Sequence, residues 1–232
     1  MNIAAKDIKK SLIELGNSEI AEHSQRFFKT GKGEYGEGDK FLGIRVPVIR
    51  KQVKIYKNVS LGQTFVLLKS PFHEIRLFAL LMLVQKFSSG TEKRKIYELY
   101  LKNTKYINNW DLVDSSAHYI VGAYLFDKDK QPIYELTKSK NLWERRISIM
   151  STFHFIKCGK FNDILKISEI LLDDNEDLIH KAVGWMLREI GNRSISVEEK
   201  FLKKFVLKMP RTMLRYAIEK FPERKRKFYL NL

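Results

Sequence analysis

The sequence predicts an all-α protein, an α-solenoid in which helix pairs repeat. Three observations carry this. Apolar residues recur at three- and four-residue spacing along most of the chain. Only 5 prolines interrupt it, and no alternating strand pattern follows residue 44. Cationic residues return with a period near 35: Arg76, Arg146, Lys181 and Arg215 are separated by 70, 35 and 34 residues. A period of that length holding two helices marks a stacked array, in which each pair buries its apolar face on its neighbours.

The elements follow in order. Ile3 to Phe28 reads as a helical pair divided at Gly16-Asn17-Ser18. Gly31, Gly33, Gly36 and Gly38 then surround Tyr35, ahead of Phe41-Leu42-Gly43-Ile44. That density marks a turn-rich loop or small hairpin near residues 30–43. Its spacing is not Gly-x-Gly-x-x-Gly and no strand precedes it, so a nucleotide-binding loop fits poorly. A loop that touches nucleic acid and a plain connector both remain open. Deleting Gly33 to Gly38 is expected to leave the fold intact, since the segment lies outside the repeats. Val46, Ile49, Val53 and Tyr56 form one helical face; Ile75, Phe78, Ala79, Met82, Leu83 and Phe87 form another. Ile164, Leu165, Ser168 and Leu172 form a third, and short joints such as Ser88-Ser89-Gly90 and Asp173-Asp174-Asn175 separate the segments. The whole reads as about a dozen helices in a single domain, 1–232.

Composition narrows the function. Of 232 residues, 44% are hydrophobic and 12% aromatic, which excludes a disordered tail. Lys plus Arg number 43 against 27 Asp plus Glu, a net charge of +16 that implies a polyanionic partner, nucleic acid or an anionic membrane. No apolar run approaches the length of a membrane span. Met1 to Asp7 lacks the apolar core of a signal peptide, so the expected compartment is the cytoplasm. Cys158 is the sole cysteine, which excludes an intramolecular disulfide and a multi-cysteine zinc site; it reads as a buried structural thiol. His23, His73, His118, His154 and His180 show no pair at metal spacing, and neither Gly-x-Ser-x-Gly nor a Walker sequence occurs. Arg224-Lys225-Arg226-Lys227 is a basic cluster that docks on phosphates or stays solvated.

Equivalent helices of a solenoid face the same way, roughly 8–10 Å apart. The four cations should therefore line one surface, expected to be concave. A solvated helix face is the plain reading of each; four in one register favour a groove that tracks phosphates. The member missing at position 111 is Asp111, within Trp110-Asp111-Leu112-Val113-Asp114. Asp114 takes the slot held by Ala79, Ile149, Gly184 and Ile218, and a carboxylate there breaks the local rule, as functional residues do. The structural alternative pairs Asp111 or Asp114 with Arg146 or Lys181, or makes it a helix cap. Trp110 and Trp185 could flank a pocket centred on Asp114, with Trp143 a third indole; core packing is the plain reading of each. Carboxylate, guanidinium and indoles together suit a cationic planar ligand beside a phosphate.

Four segments, Phe41-Leu42-Gly43-Ile44-Arg45-Val46-Pro47, Trp110 to Asp114, Trp143-Glu144-Arg145-Arg146 and Lys181 to Glu189, resemble the AlkD-like DNA alkylation repair proteins. These are HEAT-like helical-repeat DNA glycosylases, and the resemblance covers nearly the whole chain. It implies that Asp114 is the catalytic carboxylate, that Trp110 and Trp185 frame the lesion nucleotide, and that Arg146 holds the DNA backbone. Arg76, Lys181 and Arg215 join it as backbone contacts from the register. It implies excision of N3- and N7-alkylated purines from double-stranded DNA by a monomer, with no cofactor, no metal and no membrane, in association with the nucleoid. Such bases are already cationic and leave without a general acid, and no activated lysine is needed, so hydrolysis is expected and not strand cleavage. Two departures stand out. Phe27 occupies a position where the family pattern has tyrosine. The loop Thr30 to Lys40 is longer than in the closest glycosylases and is similar to relatives that favour branched DNA and excise weakly. A weakly catalytic or non-catalytic binder of branched or damaged DNA is thus the alternative function, and a protein-interaction solenoid for an acidic partner the third.

The groove reading makes a measurable claim. Duplex DNA affinity is expected to fall steeply with salt, and Arg146→Ala to reduce the slope of that dependence by roughly one unit. Filter binding between low and physiological ionic strength tests it; affinity indifferent to salt would exclude a phosphate-tracking groove.

Overall fold

The computed structural model describes residues 4–90 and 92–232. Among these residues the regular elements are helical, and the β contact present is an isolated bridge between Lys40 and Phe72. The all-α expectation holds. The chain forms two compact units, Met1–Ser116 and Ala117–Leu232.

In the first unit the expected helical pair is α1 (Ala5–Glu14) and α2 (Ser18–Phe27). Ile3, its expected start, lies outside the described residues. Asn17 divides the pair because its side chain accepts the Ile20 N–H at 3.0 Å, an N-cap. The glycine-rich stretch is a series of turns and not a hairpin. Then come α3 (Val46–Ile55), with Pro47 in its first turn, and α4 (Leu61–Leu68), capped by Ser60. Both pack on α5 (His73–Ser88), which is buried on nearly every side. Ile75, Phe78, Leu80, Met82 and Leu83 are fully buried there, each stabilising the fold by about 1.5–3 kcal/mol. The same helix buries His73, Glu74 and Arg76. α6 (Lys93–Lys102) and the short α7 (Trp110–Asp114) complete the unit.

The second unit opens on a π-helical turn, His118–Gly122, continued by α8 (Ala123–Leu125). A Cβ on Gly122 would lie 2.1 Å from the Ser151 carbonyl oxygen, so only glycine permits this approach. α9 (Gln131–Thr137), α10 (Leu142–Lys157), α11 (Asn162–Ile170), α12 (Asp177–Gly191), α13 (Ile195–Phe205), α14 (Arg211–Ala217) and α15 (Glu223–Leu230) follow. α10, α12 and α14 pack in series, while α9 lies on α10, α11 on α10 and α12, and α13 on α12. The 35-residue period is therefore one helix pair. Gly184 sits where α12 crosses α14: a Cβ would lie 2.4 Å from the Met213 carbonyl. Its register partners Ile149 and Ile218 are buried here, as Ala79 is in the first unit. Cys158, expected as a buried thiol, is instead exposed, because Phe155 and Ile156 take the last core positions of α10 and the cysteine falls on its C-cap. Among the described residues no helix is long and apolar enough to cross a membrane.

Glu198 on α13 is buried, and its Oε1 accepts no hydrogen bond from any described residue. Burial first, then the neighbouring charge of Glu199, pushes its carboxyl up from 4.5 to about 8. Between those values the folded chain holds a proton that the unfolded chain has lost. Stability therefore falls as pH rises from 4.5 to about 8 and levels off above. Glu198→Gln is expected to melt above the wild type by a margin that widens over that window, followed by circular dichroism. A margin independent of pH would refute the assignment.

Candidate functional site

The densest polar arrangement of the first unit is centred on His73, the first residue of α5. Its Nδ1 lies 2.9 Å from Asp39 Oδ2 and its Nε2 2.8 Å from Asp111 Oδ2. Both ring nitrogens face carboxylates, so both carry protons and the ring is an imidazolium. Burial opposes that charge, but Asp111 and then Asp39 override it and raise the pKa to about 9. Arg76, one turn along α5, donates to both Asp39 oxygens at 2.7 and 2.8 Å, to Asn108 Oδ1 at 3.0 Å and to the Ser70 carbonyl at 3.1 Å. Burial pulls Asp39 upward, yet His73 and Arg76 together hold its carboxyl below the usual range. Arg76 was expected on the DNA backbone. At 4% exposure its guanidinium is committed to this network, and its part is to fix Asp39 and Asn108.

Asp39 arrives from the glycine-rich loop. Glu34 accepts the Gly31 N–H and Glu37 the Gly33 N–H, both at 2.8 Å, and the Gly36 N–H returns to the Lys29 carbonyl at 2.9 Å. These bonds close the loop so that its last acid points into the core. The expectation that deleting residues 33–38 leaves the fold intact is therefore corrected: the segment carries the turns that lead into Asp39, which binds His73 and Arg76. Beyond the loop, Glu74 accepts the N–H groups of Leu42, Gly43 and Ile44 at 2.8, 2.7 and 3.2 Å, which explains that motif as a backbone cradle for a buried carboxylate.

Aromatic rings carry the order outward. Phe41 stacks on His73 with centroids 4.5 Å apart, Phe28 on Phe41 at 5.0 Å, and Trp110 on Phe28 at 5.3 Å. Phe27 meets Trp110 edge-on at 6.0 Å and is 56% exposed. A cleft of about 560 Å³ descends past Phe28 and Phe41 to His73 and Asp111.

The short helix α7 is thus held at its start by three contacts. Asn109 Oδ1 accepts the Trp110 N–H at 2.8 Å, Asp111 binds His73, and Trp110 is stacked. Asp114, its last residue, is half-buried. Beneath it Ser116 donates to the Leu112 carbonyl, so the Tyr100 hydroxyl donates to Ser116 Oγ at 2.9 Å. Burial, reinforced by the Asp114 charge, raises the Tyr100 phenol well above its ordinary value. The pairing considered for Asp111 with Arg146 or Lys181 is corrected: its partner is His73, which sequence reasoning passed over.

In the second unit Trp185 on α12 is half-buried; its indole N–H donates to Glu189 Oε1 at 3.3 Å, and its ring lies 6.0 Å from Phe153. Trp143 is core. Arg146 is 4% exposed and donates to the Leu178 carbonyl. Lys181 pairs with Asp177 at 2.7 Å, and Arg215 is exposed. The cations share a register but not a depth. Of the basic tail, Lys225 pairs with Glu199 and Lys227 with Glu223. Among the described residues no group of three or more His, Cys, Asp or Glu is placed to hold a metal ion.

Comparison with known proteins gives three findings. The model of a family described as DNA alkylation repair enzyme matches residues 8–221. No curated protein matches the chain. Among solved structures, a predicted DNA alkylation repair enzyme from Enterococcus faecalis aligns with a TM-score of 0.70 at 17% identity, over 90% of this chain and 97% of that one. The protein smu.31 from Streptococcus mutans aligns at 0.54 and 18%, over 94% and 97%. At such identities the likeness to solved structures establishes the fold.

The network predicts its own cost of disruption. Asp39→Asn leaves two buried cations with one carboxylate fewer and is expected to destabilise the protein by about 3–5 kcal/mol in urea denaturation. Glu34→Gln, on the loop surface, should cost about 0.5 kcal/mol or less. Equal effects would show that the loop and not the buried ion set is what matters.

Proposed function

We propose a function for this chain, which belongs to the DNA alkylation repair enzyme family: it is a monofunctional DNA glycosylase that releases cationic N3- and N7-alkylated purines from duplex DNA. The observation that carries this reading is Asp114, a half-buried carboxylate in a slot that is buried and apolar or small in the other repeats, at the end of a helix braced by ion pairs and stacked rings.

The chemistry follows from charge. An alkylated purine with a positive ring departs as a neutral base, so no acid need protonate it. Positive charge then passes to the sugar as the C1′–N bond lengthens, toward an oxocarbenium-like state. The Asp114 carboxylate stabilises that charge and orients the water that adds to C1′. The Trp110 face meets the cationic nucleotide, and its stacking on Phe28 fixes the ring before DNA arrives. Trp185 serves as a further lesion-contacting indole. Lys181 and Arg215 neutralise backbone phosphates. Arg146, as buried as Arg76, joins them only by exchanging its bond to the Leu178 carbonyl for one to a phosphate. Arg76 acts only through the brace. The enzyme works on the nucleoid in the cytoplasm and uses no cofactor.

Asp114→Asn is expected to slow single-turnover release of 7-methylguanine by at least about 10²-fold, with melting temperature and duplex affinity kept. Asp111→Asn should show the opposite profile, a lower melting temperature from the loss of its pairing with His73 and less effect on release per folded molecule. Wild-type release by a folded Asp114→Asn protein would overturn the catalytic assignment.

A further inference from the structure

The second unit holds a cleft of about 830 Å³ that the glycosylase reading does not use. It opens between α11 and α13. α11 turns Asn162, Leu165, Lys166 and Glu169 toward it, and α13 turns Val197, Phe201 and Phe205, with Lys200 and Lys204 beside them. Each set follows the i, i+3, i+4, i+7 pattern of one helical face. A groove bounded by two such faces, with an apolar floor, fits a third helix.

Charge selects which helix. Lys160, Lys166 and Lys200 line the cleft, are exposed, and pair with no carboxylate among the described residues. Two of the three lining acids are engaged: Glu169 with Lys204 at 3.5 Å, and Asp163 with the Tyr134 hydroxyl at 2.8 Å. The charge left to meet a ligand is positive. Single-stranded nucleic acid would also seek cations, but it needs open ring faces for base stacking. Phe155, Phe201 and Phe205 are buried, and the other two rings of the lining, Phe126 and Phe161, are half-buried, so none offers a fully open face. The α13 stripe from Val197 to Phe205 runs about 12 Å, enough for two turns of a docked helix.

We propose that this cleft seats an acidic amphipathic helix of a partner protein, with its apolar side chains on Leu165, Val197 and Phe201 and its carboxylates against Lys160, Lys166 and Lys200.

The test uses the full-length chain and a labelled helical peptide with leucines at i, i+3, i+4 and i+7 and glutamates on its flanks. Fluorescence anisotropy should show saturable binding that weakens with salt. Lys166→Glu/Lys200→Glu, at exposed positions, should keep its melting temperature and bind the peptide roughly tenfold or more weakly. Lys10→Glu/Lys51→Glu, matched in charge but in the first unit, should bind as the wild type does. Absence of saturable binding, or equal binding by the Lys166/Lys200 variant, overturns the proposal. So does decanoate or a single-stranded oligonucleotide that binds in a Lys166/Lys200-dependent way where the peptide does not. None of these readouts involves base release, so the outcome stands apart from the glycosylase reading.

Discussion

His73 can serve Asp39 and Asp111 at once only while it carries two protons. A neutral imidazole has one N–H, and its other nitrogen would turn a lone pair toward a carboxylate. The first unit therefore folds around a balanced charged set, two cations (His73 and Arg76) and two anions (Asp39 and Asp111), buried except for the half-buried Asp111. Such a set contributes little net stability against water, but losing any member leaves a buried charge without its counterpart. It behaves as a unit. A surface-looking loop, the start of a core helix and the start of α7 become parts of one construction, though they are far apart in sequence.

That construction explains how five residues hold a shape. A helix as short as α7 has no intrinsic stability, since nucleation outweighs the few bonds it makes. Its geometry is imposed by the Asn109 cap, the Asp111–His73 pair and the ring column ending at Trp110. In the mechanism proposed above, the Asp114 carboxylate stabilises a transient positive charge, which it does best when it need not move at the moment of reaction. Asp114 ends the helix that these contacts brace, so the surrounding sequence encodes a scaffold as well as the carboxylate.

The helical repeat was legible in the sequence because burial on a helix is periodic and period is a one-dimensional property. The register also held: Ala79, Ile149, Gly184 and Ile218 are all buried, as their shared slot required. Depth was not legible. Arg76 and Arg215 occupy equivalent slots, yet one is locked in an ion network and the other is in solvent, because register gives direction and says nothing about what lies opposite. Asp39 and His73 escaped notice for a related reason. Their partners are 34 and 38 residues distant, and no local pattern announces a contact of that range. One signal was available. An acid at position 111, where other repeats carry a cation, invites a search for a cation on the preceding repeat helix, and His73 and Arg76 share one face of it. The exposure of Cys158 was not legible either, because a thiol's burial depends on where its helix ends, which composition does not reveal.

The π-helical turn at His118–Gly122 has a consequence for how this chain can vary. A π turn is an α-helix with one residue too many, and α-helical residues advance by 100° each. The wider turn takes up that extra residue, so removing one residue there would restore regular winding and leave the downstream helix close to its present phase, with Leu125 still in the core. The change would fall on the turn itself, where Gly122 meets the Ser151 carbonyl. The same deletion inside α10 or α12 would turn every later side chain of that helix by 100°.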